Sequence, residues 1–332
     1  MKVLITGSEG FIGSHLTEEL VKAGYDVRCF VLYNSFNSIG WLSKLDEKIL
    51  KNCEIFFGDI RDFNSVKNSV KGVGAIIHLA ALIGIPYSYS ATESYIDTNI
   101  KGTMNLLNAA KNSNIKKFIH TSTSEVFGTA QYIPMDEDHP INCQSPYSAS
   151  KAAADNLAFS YYKSFQLPIT ILRPFNTFGP RQSLRAVIPT IISQTLFNNG
   201  NVKLGNINTK RDYTYIEDTV KAFRLAINNK RILGEVVNIG NNSEISIKEI
   251  VKIVKKLTKI NIKIILDKNR IRPANSEVDR LISSNKKAKK MLNWKIEFHG
   301  KKGFEIGLEK TIKWTSKNKK IFNKDLIKKY TI

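Results

Sequence analysis

The opening thirteen residues, MKVLITGSEGFIG, constrain this chain more than any other stretch. Residues 1–6 form a short apolar run suited to a parallel strand buried on both faces. Gly7, Gly10 and Gly13 then open a helical pattern in which Phe11, Ile12, Leu16, Leu20 and Val21 recur at helical spacing. Glycines at a strand-to-helix turn let the backbone approach a pyrophosphate closely. The unpaired N–H groups and dipole of the helix then hold its charge. The spacing is GxxGxxG rather than the commoner GxGxxG.

Further strand patterns follow over 26–32, 54–58, 75–79, 117–122 and 168–174, separated by helical segments. This alternation predicts an α/β protein, a Rossmann-type doubly wound parallel sheet covered on both faces. A chain of 332 residues has room for one large domain or two closely joined ones. Nicotinamide enzymes that prefer NAD usually carry an acid near the end of the second strand, where it accepts a hydrogen bond from the ribose 2′-hydroxyl. Here Val31, Leu32, Tyr33 and Asn34 stand there instead. Asn34 or Ser35 could bond the ribose, and no Arg is placed to claim a 2′-phosphate. The choice leans to NAD and leaves NADP open.

Tyr147 and Lys151, in SPYSASKAAAD, are four apart and share one helix face. Beside a nicotinamide ring, such an ammonium can hold the phenol partly ionised and make it a base for a sugar hydroxyl. The stretch TSTSEVFG lies just upstream and adds Thr123 and Glu125 as candidates.

Composition narrows the alternatives. The net charge of +21 invites a nucleic-acid reading, but much of the excess is lysine near the C-terminus: Lys286-Lys287, Lys289-Lys290, Lys301-Lys302, Lys319-Lys320 and Lys328-Lys329. No nucleic-acid module accompanies it, so a solvated lysine surface is expected. No run of about 18 apolar residues suggests a membrane span, and MKVLITGS is too short and glycine-broken for a signal peptide. Cys29, Cys53 and Cys143 lack metal-ligand spacing and read as reduced thiols of a cytoplasmic protein. The chain after about Trp314 reads as a frayed tail.

The glycine turn, HLAA, TSTSEVFG, YSASK and LRPFNTFGPRQ stand in this order along the chain. With them the sequence resembles the extended short-chain dehydrogenase/reductase family, among its enzymes acting on nucleotide-diphosphate sugars. The resemblance implies that Tyr147 takes the proton from the sugar O4 while C4 gives a hydride to NAD. It implies that Lys151 lowers the phenol pKa and bonds the nicotinamide ribose, and that Thr123 hydrogen-bonds O4. Asp59 and Ile60 would contact the adenine, Leu79, Ala80, Ala81, Thr121 and Pro174 would line the cofactor, and Asn99 would support the site. His78 reads as a satisfied structural residue.

Glu125 distinguishes the reaction. Oxidation at C4 acidifies the C5 proton, a carboxylate can remove it, water leaves C6 and the hydride returns there: a 4,6-dehydratase. Ser124, where some dehydratases place an Asp, gives a Thr-Ser-Glu order similar to the GDP-mannose type and joins the catalytic group. UDP-glucuronate decarboxylases resemble TSTSEVFG as well, and a 4-epimerase remains the other alternative on this scaffold. Residues 33–42 and 80–89 resemble the NAD-dependent 4,6-dehydratases of nonulosonate (legionaminic acid) pathways, which act on GDP- or UDP-linked N-acetylglucosamine.

For the substrate end the resemblance implies that Asn176, Arg185, Val187 and Ile188 contact the nucleotide sugar. Arg211 and Arg272 would clamp the diphosphate, a task suited to their planar fork, and Glu277 would bond a nucleotide ribose. Residues 1–175 with about 212–240 would form the NAD-binding domain, and 176–211 with 241–332 the smaller mixed α/β substrate-binding domain. Helical segments over 94–112 and 146–164 imply a homodimer through a four-helix bundle.

Overall fold

The computed structural model describes residues 1–322. Six strands, β1 (Lys2–Thr6), β2 (Asp26–Leu32), β3 (Cys53–Gly58), β4 (Ala75–His78), β5 (Lys117–Thr121) and β6 (Ile169–Pro174), fall within a residue or so of the predicted spans. Between β6 and the C-terminus come β7 (Asn176–Phe178), β8 (Asn201–Leu204), β9 (Lys210–Tyr215), β10 (Val236–Ile239), β11 (Glu244–Ser246) and β12 (Lys263–Leu266). The main sheet has seven strands in the order β10-β6-β5-β4-β1-β2-β3, all parallel. The strand order reverses between β1 and β4, so the crevice outside their carboxyl ends is where an α/β sheet takes its ligand.

Alternate residues of each central strand feed opposite cores, as the two-residue period of a strand dictates. Val3 and Ile5 join the core under the helices Phe11–Lys22 and Ile216–Ile227, with Leu16, Leu20, Ala222 and Phe223. Leu4, Ile76 and Phe118 join the other, under the helices Gly102–Lys111 and Pro146–Phe165. Each such side chain contributes roughly 1.5–3 kcal/mol on burial. Two smaller sheets, β11-β9-β7 and β12-β8, lie in the C-terminal half.

Two expectations need correction. The helix predicted over 94–112 is broken: Thr92–Tyr95 leads into a π-helical stretch, Ile96–Lys101, before Gly102–Lys111 continues. Nor does the chain fray at Trp314, because the helix Gly300–Lys317 runs past it. The Trp314 ring lies 5.8 Å from Trp41 and 6.1 Å from Phe322, and Phe322 lies 5.9 Å from Phe197, so aromatic packing holds the segment down. Lys328 and Lys329 fall outside the described residues. No described helix is long and apolar enough to cross a membrane.

Candidate active site

The phosphate turn is built by its glycines. Gly7 has φ of +71°, and a Cβ on Gly13 would lie 2.1 Å from the Gly7 carbonyl oxygen, so neither position tolerates a side chain. Gly10 caps the helix Phe11–Lys22 without any side-chain hydrogen bond, which leaves the N–H groups of Phe11, Ile12 and Gly13 free of a side-chain cap. Thr6 Oγ1 accepts from the N–H groups of Leu79 (3.2 Å) and Ala80 (3.1 Å), fixing the exit of β4, which runs on into Ala81, against the end of β1. His78 spans Thr6 Oγ1 (2.8 Å) and Thr103 Oγ1 (2.9 Å), so both ring nitrogens are satisfied. Burial holds it neutral.

At the end of β2 the expected ribose contact is not available from Asn34. Its amide donates to the carbonyls of Leu32 and Ser38 and accepts from the N–H groups of Phe36 and Ser38, so the side chain is spent on its own loop. Ser35 is exposed. The carboxylate at this strand end comes from the glycine turn: Glu9 Oε1 accepts from the Leu32 N–H at 3.0 Å, and Glu9 Oε2 is buried with no partner. Burial raises the Glu9 carboxyl above its usual range. Asp59 is chelated by Arg61 at 2.5–3.0 Å, which holds its carboxyl low, and Ile60 is buried under Gly102. A tight glycine cradle, uncapped helix N–H groups and two orphaned buried oxygens, Glu9 Oε2 and Thr121 Oγ1, fit a dinucleotide along this edge.

The helix Pro146–Phe165 starts sharply because Ser145 and Ser148 form a capping box and Pro146 occupies its first turn. This sets Tyr147 (7 % exposed) and Lys151 (5 % exposed) one turn apart at the crevice. Asn99, on the π-helical stretch, accepts from the Leu82 N–H (2.8 Å) and donates to the Leu82 carbonyl and to Ser150 Oγ (2.9 Å). It thereby ties the loop after β4 to the Tyr–Lys helix. A π-helical turn widens the backbone enough to aim a side chain this way.

Thr123 caps the short turn Ser124–Phe127, its Oγ1 accepting from the Glu125 N–H at 3.3 Å, and its hydroxyl also reaches the Tyr147 phenol. Glu125 is half-buried on that turn, close enough for its charge to raise the phenol, while Ser124 is 2 % exposed. Burial pushes the Tyr147 phenol well up, and the Thr123 hydrogen bond offsets only part of that. Lys151 is lowered by burial to about 8, with Asp155 opposing the fall. Burial is the largest influence on both groups, raising the phenol and lowering the ammonium.

Beneath this pair lies a buried network that motif reading missed. Asp155 accepts from His120 Nε2 (3.0 Å), Ser122 Oγ (2.5 Å) and Arg173 Nη2 (3.1 Å). Its signal was present in the sequence as a carboxylate one turn beyond Lys151.

On the other wall, Arg211 Nη2 approaches Glu277 Oε1 at 3.4 Å and Arg272 Nη1 lies 3.7 Å from the same oxygen. The two arginines and Glu277 thus converge. Tyr213, also missed, links them to the catalytic end: burial raises its phenol to about 12, against the pull of Arg211 and Arg272, with Glu125 adding to the rise. Asn176 stands on β7 beside Tyr213, its Oδ1 buried and unpaired. Arg185 is exposed, and Val187 opens the helix Val187–Phe197. Ile188, expected at the nucleotide, is instead a core residue with 1 % exposure, since its helical position faces the apolar cluster. Pro174 ends β6, buried and paired with Ile239.

This fold and these residues define an extended short-chain dehydrogenase/reductase. The model of the GDP-mannose 4,6 dehydratase family matches residues 4–306, and the chain belongs to that family. It is 36 % identical over 269 residues to a dTDP-D-glucose 4,6-dehydratase of Dictyostelium discoideum, covering 76 % of this chain and 61 % of that one. It is 34 % identical to a UDP-N-acetyl-alpha-D-glucosaminuronate decarboxylase of Bacillus cytotoxicus, covering 94 % of this chain and 97 % of the relative. Among solved structures, a UDP-glucuronic acid 4-epimerase from Bacillus cereus, in complex with UDP-glucuronic acid and NAD, superposes with a TM-score of 0.85. Its sequence identity is 28 %, over 96 % of this chain and 99 % of that one.

Proposed function

We propose that this protein is a nucleotide-sugar 4,6-dehydratase acting on GDP- or UDP-linked N-acetylglucosamine. The observation that carries the reading is Glu125, a carboxylate held one short turn from Thr123 and close enough to Tyr147 and Tyr213 to influence both phenols. NAD, when bound, supplies the two-electron acceptor for oxidation at C4 and the donor for reduction at C6. Gly7, Gly10, Phe11, Ile12 and Gly13 would hold its diphosphate, with Leu79, Ala80, Ala81, Asn99, Thr121, Pro174 and Lys151 along its length. Asp59 and Ile60 would flank the adenine.

Tyr147 removes the proton from O4, and Thr123 hydrogen-bonds the same oxygen. Glu125 then takes the C5 proton, now α to a carbonyl, and passes it to the departing C6 hydroxyl, which leaves as water. Ser124, expected among the catalytic residues, is buried on the turn and takes no step in this scheme. Arg211 and Arg272 bind the diphosphate, with Asn176, Arg185 and Val187 lining the nucleotide and Glu277 orienting the two guanidiniums. We place the enzyme in the cytoplasm, as a homodimer. Exposed Met104, Phe159 and Phe165 on the two long helices of one face supply apolar surface for that pairing.

The test incubates purified protein with GDP- and UDP-N-acetylglucosamine and reads products by mass spectrometry. Loss of one water supports dehydration. An unchanged mass at a new retention time would make the enzyme an epimerase, and carbon dioxide released in a parallel incubation with the UDP-linked uronate would make it a decarboxylase, activities that the names of a structural neighbour and a relative carry. Glu125→Gln should abolish loss of water while leaving the C4 oxidation step measurable.

A further inference from the structure

The acid that ordinarily selects NAD at the end of the second strand is missing, and Asn34 is consumed by its own loop. A carboxylate nevertheless stands at that strand end. Glu9 reaches from the glycine turn to the last residue of β2, where Oε1 accepts from the Leu32 N–H at 3.0 Å. We propose that Glu9 replaces the missing strand-end acid: its carboxylate accepts the hydrogen bond from the adenosine ribose 2′-hydroxyl and so selects NAD over NADP. The assignment rests on the dinucleotide reading of the crevice.

Three observations support it. Glu9 Oε2 is buried without a hydrogen-bond donor, and no ion pair involves Glu9 among the described residues. A buried carboxylate oxygen with no donor is costly, and a ligand hydroxyl is the kind of group that satisfies it. The residue is also held in place. The Trp41 N–H donates to the Glu9 carbonyl at 2.9 Å, and a Cβ on Gly40 would come within 2.9 Å of the Glu9 Cβ. The loop after β2 therefore closes over Glu9 and presses it against the strand end. Finally, the chemistry discriminates: a 2′-hydroxyl donates to a carboxylate, whereas a 2′-phosphate would set two anions against each other.

The experiment is calorimetric titration of nucleotide-free protein with NAD, NADP and 2′-deoxyadenosyl NAD. Wild type should bind NAD at least about tenfold more tightly than either analogue, the effect of a charge-assisted hydrogen bond. Glu9→Gln should lose about tenfold in NAD affinity with little change for the deoxy analogue. Asn34→Ala and Ser35→Ala should keep the wild-type preference. If Glu9→Gln keeps full discrimination, or if either alanine variant abolishes it, the assignment to Glu9 falls while the dinucleotide reading stands. If the Gln variant does not fold, wild type binding NAD and the deoxy analogue equally well overturns the proposal without it. Wild type binding none of the three would overturn the dinucleotide reading itself.

Discussion

Replacing Asp155 by Asn should cost the fold several kcal/mol and shift the alkaline limb of activity. Asp155 is 5 % exposed and bonded to His120, Ser122 and Arg173, the last only 3 % exposed. Burial by itself would raise its carboxyl. The His120 hydrogen bond and the charges of Arg173 and Lys151 overcome that and bring it from 3.8 down to about 2. That gap is worth on the order of 2 kcal/mol of stability. Because the folded-state value is the lower one, the stabilisation is complete above about pH 5 and is lost as pH falls through about 2. The Asn substitution also leaves the Arg173 guanidinium buried without its counter-charge, which brings the expected loss to about 3–5 kcal/mol. Urea unfolding followed by circular dichroism should show a lower midpoint at unchanged slope. The difference from wild type should close between pH 5 and pH 2, where wild-type Asp155 itself becomes neutral. Asp155 is also what holds the Lys151 ammonium up, so the alkaline limb of kcat/KM should move to lower pH in the variant. A variant within 1 kcal/mol of wild type, or a stability difference that stays constant down to pH 2, would refute the reasoning.

Tyr147→Phe should lower kcat by about 10²–10⁴ while calorimetry finds NAD affinity unchanged, since only the proton acceptor is lost. Gly13→Ala places a Cβ 2.1 Å from the Gly7 oxygen, so NAD affinity should fall at least about tenfold in the same titration. Arg272→Ala should raise KM for the nucleotide sugar about tenfold with kcat nearly unchanged, as expected for a group that binds ground and transition states alike. Burial depresses His78 and His120, and lowers His15 to about 4. The unfolded chain therefore binds these protons first, so stability should fall as pH drops below about 6.5. Thermal unfolding at pH 7.5 and pH 5 checks this, and equal midpoints would contradict it.

The sheet was legible because its first six strands are short, mostly apolar runs bounded by turn residues, and those in the middle of the sheet are buried on both faces. The glycine turn was legible for a steric reason: only glycine fits at Gly7 and Gly13. The motif-borne residues Thr123, Glu125, Tyr147 and Lys151 meet at one crevice because β5 and the capping box at Ser145 bring their elements there. What could not be read was set by tertiary contact. Asn34 is a plausible ribose ligand by type, but four local hydrogen bonds consume it. Ile188 follows an inviting Arg-Ala-Val run, yet its helix turns it into the core. The π-helical stretch that aims Asn99 leaves no mark on a hydrophobic periodicity, and the docking of Trp314 on Trp41 joins residues 273 positions apart.

The Tyr147–Lys151 pair shows how far spacing alone can carry an electrostatic argument. In water an ammonium beside a phenol would lower its pKa, but both groups here are almost wholly buried, and burial acts on them in opposite senses. The phenol rises and the ammonium falls to about 8, so near neutral pH the proton stays on the phenol and Lys151 carries its charge. Glu125 pushes the phenol further up. A bound NAD would add the positive charge of its oxidised ring beside this pair. Deprotonation of O4 would then be favoured when the oxidised cofactor is in place, and the same burial would restrain the phenol from acting as a base without it.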